Sequence, residues 1–170
     1  MFRTFLAAPY RHVYSANGGV GLAAASVMTQ HMYGPIASMR VLVADDDEDM
    51  LSLVTDTLQS DGHEVRTARD GAELLECLEG ALADPEGRPD VVVADVMMPR
   101  LSGLGVLEAL CHAQLYLPVV LMTVLADDSV QTVARRFGAV GVLRKPFDVD
   151  DLRTAVMNAV LAYRARGGPR

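Results

Sequence analysis

Short apolar runs alternate with amphipathic stretches along most of the chain. Segments of four or five residues with the character of buried strands occur at 41–44, 64–68, 90–94, 119–122 and 140–143. Each is followed by a stretch in which apolar residues recur every three or four positions, the spacing of one helix face. Strands that alternate with helices in this way predict an α/β fold, a parallel sheet covered by helices on both faces.

The apolar face of each expected helix follows from this spacing. We expect these side chains to pack into the core: Met50, Val54 and Leu58; Leu75, Leu78 and Leu82; Leu107, Leu110 and Cys111; Val130, Val133, Ala134 and Phe137; Val149, Leu152, Val156, Val160 and Tyr163. Gly62 and Gly138 stand where the first and fourth helices should end, because glycine commonly closes a helix.

Residues 1–38 show neither the periodicity of a strand nor that of a helix. Their small residues are typical of a disordered extension, or of a start codon assigned too far upstream, because Met39 directly precedes the first expected strand. We therefore expect an ordered domain over 39–163 and a short tail over 164–170. Such a tail is too short to fold into an output domain, so we expect the domain to act alone.

Composition narrows the classes of function. The chain of 170 residues is 51% hydrophobic, which is enough for a packed core. Its formal net charge of -7, from 22 acidic and 15 basic side chains, argues against direct binding of nucleic acid. No apolar run approaches the ~18 residues of a membrane span. The two cysteines, Cys77 and Cys111, fit a reducing cytoplasm.

Polar side chains that can do chemistry follow the ends of several expected strands. Asp45 and Asp46 follow the first strand, Asp95 the third, Thr123 the fourth and Lys145 the fifth. The carboxyl ends of parallel strands lie at one edge of the sheet, where α/β proteins bind ligands. Each residue alone would be interpreted as a helix cap, a turn residue or a solvated charge. Their shared edge makes them a candidate site.

Three carboxylates at one edge repel one another unless a cation offsets their charge. Mg²⁺ meets this need, because it prefers a few carboxylate oxygens together with water and a phosphate. Beside such an ion, a free oxygen of Asp95 can attack phosphorus. Thr123 can donate to a phosphoryl oxygen, and Lys145 can pair first with the carboxylate and then with the phosphoryl group. The arrangement therefore predicts phosphoryl transfer to an aspartate.

Four motifs in this order resemble the signature of bacterial response regulator receiver domains. They are VLVADD at 41–46, VVADVMMP at 92–99 with Gly103, PVVLMT at 118–123 and KPF at 145–147. The resemblance extends over about residues 39–163. It implies a flavodoxin-like (βα)5 fold, with a doubly wound parallel sheet in the strand order 2-1-3-4-5.

The resemblance also implies a role for each acidic residue. Asp95 would receive a phosphoryl group from a sensor histidine kinase or a histidine phosphotransfer protein. Asp46 and Asp95 would bind Mg²⁺ directly. Asp45 would bind it at least through water, and the backbone carbonyl of Met97 would complete the protein ligands.

The same resemblance implies a signalling domain in the bacterial cytoplasm, not an enzyme that turns over a free substrate. Thr123 and Lys145 would complete the reacting set around Asp95, and the peptide bond between Lys145 and Pro146 would be cis. Phosphorylation would change a surface formed by the fourth helix, fifth strand and fifth helix. A downstream effector protein would bind there, and a phosphorylation-dependent homodimer is an alternative use of that surface.

Two departures from the family pattern matter, at Val142 and at Val124. Val142 stands where the family usually has Tyr or Phe, so the usual coupling between the hydroxyl and an aromatic ring is in question. Val124 and Leu125 follow Thr123, where the first position is usually Ala or Gly. We expect these apolar groups to narrow the approach of water to phosphorylated Asp95 and to slow its hydrolysis.

Two other functions stay open from the sequence. A Mg²⁺-dependent phosphatase of the haloacid-dehalogenase type also uses an aspartate at a strand end, but it needs a second aspartate two residues later, where this chain has Met97. A degenerate receiver domain would bind its partner regardless of phosphate. The complete set of site residues argues against that alternative, and Val142 favours it for the output step.

Overall fold

The computed structural model of the protein describes residues 38–83, 87–125 and 127–167. Within these residues, five strands alternate with five helices. The elements are β1 (Arg40–Ala44), α1 (Glu48–Ser60), β2 (Glu64–Ala68), α2 (Gly71–Ala83), β3 (Val91–Asp95), α3 (Gly103–His112), β4 (Val119–Thr123), α4 (Asp128–Arg136), β5 (Gly141–Arg144) and α5 (Val149–Ala165). The expected N-terminal extension, apart from Ser38, and the end of the expected tail lie outside the described residues. No helix in these ranges is both long enough and apolar enough to cross a membrane.

The strands form a parallel sheet in the order β2-β1-β3-β4-β5. The order and the alternation of elements confirm the predicted flavodoxin-like α/β fold. Near the carboxyl edge, Ala44 of β1 pairs with Ala94 of β3, and Asp95 pairs with Met122 of β4. The three central strands therefore end at nearly the same level, and the residues that follow them share one edge.

The core occupies both faces of the sheet because side chains alternate along each strand. Every position of β3 and β4 is buried. On one face, α2, α3 and α4 contribute Leu74, Leu78, Val106, Leu107, Leu110 and Ala134. On the other face, α1 and α5 contribute Val54, Leu58, Leu152, Val156, Ala159 and Val160. This division is the doubly wound packing that the alternation of strands and helices predicts.

One predicted core position on α3 is wrong. Cys111 is exposed on α3, and Val106 is buried on that helix. On α2, Leu74 is fully buried, whereas Leu75 is only partly buried. Adjacent apolar residues in both helices are compatible with two neighbouring faces, and packing against the sheet selects one of them.

The α4–β5 side of the sheet is packed less deeply than its centre. No residue of β5 is fully buried, and α4 buries only Ala134; both elements are completely described. Val133, which the spacing placed in the core, is exposed. Val142 and Phe137 are partly buried against the core cluster on this face. An edge strand and a short helix therefore cover this side.

Candidate functional site

Two of the three acidic residues predicted at the carboxyl edge contact Lys145, the one lysine of the sequence. Asp45 directly follows β1 and Asp95 ends β3, and their exposed fractions are 1% and 4%. The Nζ of Lys145 lies 2.7 Å from Oδ2 of Asp45 and 2.7 Å from Oδ1 of Asp95. One ammonium group therefore bridges two buried carboxylates.

The backbone of β4 positions both Lys145 and Thr123. The N–H of Lys145 donates to the carbonyl oxygen of Thr123 at 2.8 Å. The peptide bond between Lys145 and Pro146 is cis, as the resemblance implied. Thr123 is fully buried, and its Oγ1 accepts the N–H of Leu125 at 3.1 Å. Since β4 lies beside β3, Thr123 is one residue beyond the position that pairs with Asp95.

Burial and hydrogen bonding set the charges of the site. Burial raises the pKa of Asp45, and the hydrogen bonds from Lys145 and from the N–H of Asp47 only partly offset this rise. Burial alone would lower the pKa of Lys145, but its hydrogen bonds to Asp45 and Asp95 outweigh burial and raise the pKa. Lys145 therefore stays protonated at neutral pH. Two buried carboxylates share this one ammonium, an arrangement that favours a further cation.

The acidic residues that follow β1 have different roles. The Oδ1 of Asp47 caps α1 by accepting the N–H groups of Asp49 and Met50 at 2.9 and 3.1 Å. The carboxylate of Asp45 accepts the N–H of Asp47 at 3.1 Å and also contacts the ammonium of the site. Asp46 is exposed. Because Asp47 serves as the cap, Asp45 is available to the site.

Backbone groups of the loop after β3 also orient Asp95. The N–H of Met97 donates to Oδ2 of Asp95 at 2.5 Å, whereas Lys145 contacts Oδ1. In the part of the chain that the structure describes, no three His, Cys, Asp or Glu side chains form a group that could hold a metal ion. Mg²⁺ commonly binds through one or two carboxylates with water and phosphate oxygens. The two buried carboxylates therefore fit Mg²⁺.

Gly103 brings the start of α3 against the end of β3. A Cβ at Gly103 would lie 2.2 Å from the carbonyl oxygen of Asp95, a distance that no side chain tolerates. The N–H of Gly103 donates to the carbonyl of Val96 at 3.2 Å, and the N–H of Val96 donates to the carbonyl of Met122 at 2.8 Å. The glycine of this motif is therefore required by close backbone approach.

Arg100 lies in the loop between β3 and α3, and Asp70, at the start of α2, contacts it. Neither residue was identified from the sequence. Asp70 caps α2 by accepting the N–H groups of Ala72 and Glu73 at 2.9 and 3.0 Å, and it pairs with the guanidinium of Arg100. The cap had a recognisable signal, an aspartate three residues before a glutamate. Arg100 had no such signal in the sequence, because it lies in a loop 30 residues away from Asp70.

Exposed apolar side chains lie close in sequence to Asp95 and Thr123 of the candidate site. Met97, Val124 and Leu125 are each more than half exposed. The N–H of Met97 bonds to Asp95, and the N–H of Leu125 bonds to Thr123. Two of the three, Met97 and Leu125, are therefore bonded through their backbone to residues of the candidate site.

A sequence profile described as the response regulator receiver domain matches residues 41–157. The match covers more than half of the chain and includes all of the residues at the candidate site. Apart from Arg40 at the start of β1, all five strands lie within the match, as do α1 to α4, and α5 begins within it.

Curated proteins described as regulators are similar to part of this chain. The DNA-binding transcriptional regulator NtrC of Escherichia coli K12 is 33% identical over 130 residues, which are 76% of this chain and 26% of NtrC. The response regulator MprA of Mycobacterium ulcerans is 37% identical over 124 residues, which are 73% of this chain and 50% of MprA. The chain therefore spans about a quarter to a half of the length of these relatives.

Solved structures show the same fold. The receiver domain of the Francisella response regulator 1452 has a TM-score of 0.67 and 28% identity, covering 74% of this chain and 98% of that one. The chemotaxis protein CheY4 of Vibrio cholerae has a TM-score of 0.65 and 31% identity, covering 72% of this chain and 99% of that one. Nearly the whole of each of these proteins therefore corresponds to residues of this chain.

Proposed function

The chain belongs to the family of response regulator receiver domains of two-component systems, and we propose that Asp95 is its phosphorylation site. A sensor histidine kinase or a histidine phosphotransfer protein supplies the phosphoryl group. An oxygen of Asp95 attacks phosphorus, and the new O–P bond forms as the N–P bond to the donor histidine breaks. The bridge that Lys145 makes between Asp45 and Asp95 is the observation that carries this proposal.

The contacts of Asp95 orient it before the reaction. The N–H of Met97 holds one carboxylate oxygen and the ammonium of Lys145 holds the other, so little reorganisation is needed when phosphorus arrives. After the transfer, Lys145 retains Asp45 as a partner and pairs with a phosphoryl oxygen. Thr123 donates its hydroxyl to another phosphoryl oxygen.

The site also holds Mg²⁺ in this proposal. Asp46 and Asp95 would bind the ion directly, Asp45 would bind it at least through water, and the backbone carbonyl of Met97 would complete the protein ligands. The buried carboxylates of Asp45 and Asp95, which share one ammonium and offer hard oxygen donors, support a cation at this edge. The role of Asp46 follows from the family pattern alone. When bound, Mg²⁺ offsets charge on the phosphoryl oxygens.

We propose that α4, β5 and α5 form the surface through which phosphorylation is read by a downstream effector protein. The shallow burial of α4 and β5 supports this assignment, because lightly packed elements rearrange at low cost. A phosphorylation-dependent homodimer is the alternative use of the surface. NtrC, described as DNA-binding, extends beyond the matched region, and action of this domain without an output domain stays a prediction.

Phosphorylation at Asp95 is tested with acetyl phosphate and Mg²⁺, followed by measurement of the intact mass. We expect the wild type to gain the mass of one phosphoryl group and Asp95→Asn to gain none. Asp90→Asn is the matched control, because Asp90 precedes β3 at the opposite end of the strand. Labelling of Asp95→Asn at the wild-type level would contradict the assignment. Steady release of phosphate from small phosphoesters would instead favour a phosphatase.

A further inference from the structure

An ion pair ties the start of α2 to the loop between β3 and α3. The carboxylate of Asp70 is buried, and its Oδ1 accepts the N–H groups of Ala72 and Glu73 at 2.9 and 3.0 Å. Its Oδ2 pairs with Nη2 of Arg100. Many surface ion pairs join two flexible side chains and contribute little. Here one partner is already fixed by the helix, so Arg100 meets an anchored carboxylate.

Arg100 occupies a backbone position that favours glycine. Its φ is 63°, in the left-handed region that other side chains rarely adopt. The carbonyl oxygen of the next residue, Leu101, lies against α2, because a Cβ at Gly71 would be 2.0 Å from it. The loop backbone therefore rests directly on the start of α2, and the ion pair is formed at this contact.

The same loop contacts Asp95 near both of its ends. Near its start, the N–H of Met97 donates to Oδ2 of Asp95 at 2.5 Å. At its end, a Cβ at Gly103 would lie 2.2 Å from the carbonyl oxygen of Asp95. A shift in the middle of the loop is therefore transmitted to the backbone groups that orient Asp95.

We propose that Asp70 and Arg100 are positioning residues for the phosphorylation site. Their ion pair holds the loop so that the N–H of Met97 stays aligned with Asp95 and the backbone of Met97, whose carbonyl would bind Mg²⁺, keeps its position. This inference rests on the proposed function, because it assigns a role to residues that support the proposed metal ligands. Neither residue touches the reacting atoms, and both act through Met97.

Three variants separate the ion pair from the helix cap. Arg100→Ala removes the guanidinium. Asp70→Ser removes the carboxylate but keeps a side chain that can cap α2, and Arg100→Lys keeps the charge. The matched control is Arg153→Ala, because Arg153 Nε pairs with Oδ2 of Asp61 at 2.7 Å and joins α5 to the end of α1, elsewhere in the fold.

Affinity for Mg²⁺ is measured by titration of protein labelled with ¹⁵N-lysine, in which Lys145 gives one backbone amide signal. We expect the dissociation constant to rise roughly fivefold in Arg100→Ala and Asp70→Ser. Arg100→Lys should have an intermediate value, and Arg153→Ala should match the wild type. In metal-free protein, we expect faster hydrogen exchange at the Met97 amide of Arg100→Ala than in the wild type or the control.

The outcomes distinguish this inference from the proposed function. Wild-type affinity for Mg²⁺ in both Arg100→Ala and Asp70→Ser would overturn the inference and leave the proposed function intact. An equal loss of affinity in Arg153→Ala would also overturn it, because the effect would then follow general stability. A wild type whose Lys145 signal does not respond to Mg²⁺ would overturn the proposed function and the inference together.

Discussion

The centre of the sheet and its α4–β5 side are packed to different depths. β3 and β4, which carry Asp95 and Thr123, are buried at every position. β5 has no fully buried residue, and α4 buries only Ala134. Lys145 directly follows β5 and contacts the carboxylate of Asp95. The deeply and shallowly packed regions therefore meet at the proposed reacting groups.

This difference separates two physical requirements. Phosphoryl transfer needs oxygen atoms held in fixed positions, and fully buried strands supply that rigidity. A surface that responds to phosphorylation needs two arrangements of similar free energy, and shallow packing keeps the cost of changing between them low. Because Lys145 contacts the site from the end of β5, a change at Asp95 has a direct route to the shallow region.

The largest effect is expected when the cation that joins the two regions is removed. Lys145→Met keeps a long side chain but leaves Asp45 and Asp95 buried without their ammonium. We expect the free energy of unfolding at neutral pH to fall by about 3 kcal/mol, as when a buried ion pair loses one partner. Urea denaturation in the presence of a chelator measures this change.

A double variant tests whether uncompensated negative charge causes the loss of stability in Lys145→Met. Adding Asp45→Asn to Lys145→Met should restore part of the stability, because one uncompensated carboxylate is then absent. A single variant as stable as the wild type would show that the bridge does not hold β5 to the centre of the sheet.

Two valine-to-alanine variants allow the packing of the two regions to be compared directly. Val120→Ala in β4 and Val142→Ala in β5 remove the same apolar volume. Val120 is fully buried, so we expect its loss to lower the free energy of unfolding by about 2–3 kcal/mol. Val142 is only partly buried, and about 1 kcal/mol is expected for it. Equal losses in urea denaturation would contradict the difference in packing depth.

The sequence predicts the deep region better than the shallow one. Uninterrupted apolar runs located β3 and β4, and the residues at their ends, Asp95 and Thr123, followed from the rule that parallel strands share a carboxyl edge. The helical spacing of α4 predicted that Val133 lies in the core, but its side chain is exposed. A short helix on the shallow side buries few side chains, so its periodicity does not determine which of them pack.

Contacts between distant loops and helices could not be predicted. The strand pattern shows which residues face inward, but it does not show that Arg100 meets Asp70 across 30 residues. In the same way, five adjacent acids after β1 gave no basis for choosing Asp47 as the cap, because the choice depends on the direction in which the chain enters α1. Both features depend on three-dimensional positions that a one-dimensional pattern does not contain.

The loop between the two regions is expected to determine how long the phosphoryl group persists. Val124 and Leu125 are exposed apolar residues beside Thr123. In Val124→Ala/Leu125→Glu, water should reach phosphorylated Asp95 more easily, and we expect hydrolysis about tenfold faster. Decay of the phosphorylated mass after removal of the donor measures the rate.

A matched control tests whether the position of the new charge matters. Leu53→Glu places the same side chain at an exposed leucine of α1 and should leave the decay unchanged. Decay of the loop variant at the wild-type rate would count against a role for the apolar side chains in excluding water.

The smallest effect is expected at the start of α4. The Oδ1 of Asp127 accepts the hydroxyl of Ser129 at 2.6 Å and the N–H of Val130 at 2.9 Å. The hydrogen bond from Ser129, followed by that from Val130, lowers the pKa of Asp127 from its ordinary value of 3.8. The ionised carboxylate of Asp127 therefore stabilises α4 fully at pH values above the ordinary pKa. This stabilisation is lost as the pH falls through the lowered pKa.

Asp127→Ala should accordingly speed hydrogen exchange in α4 at neutral pH, and its protection should approach that of the wild type at pH values below the lowered pKa. Ser102→Ala removes the corresponding cap of α3, where Oγ accepts the N–H of Gly105 at 3.1 Å, and should affect α3 without affecting α4. If Asp127→Ala also reduces protection in β3, the shallow side cannot loosen independently, because its opening would then require opening of the strand that carries Asp95.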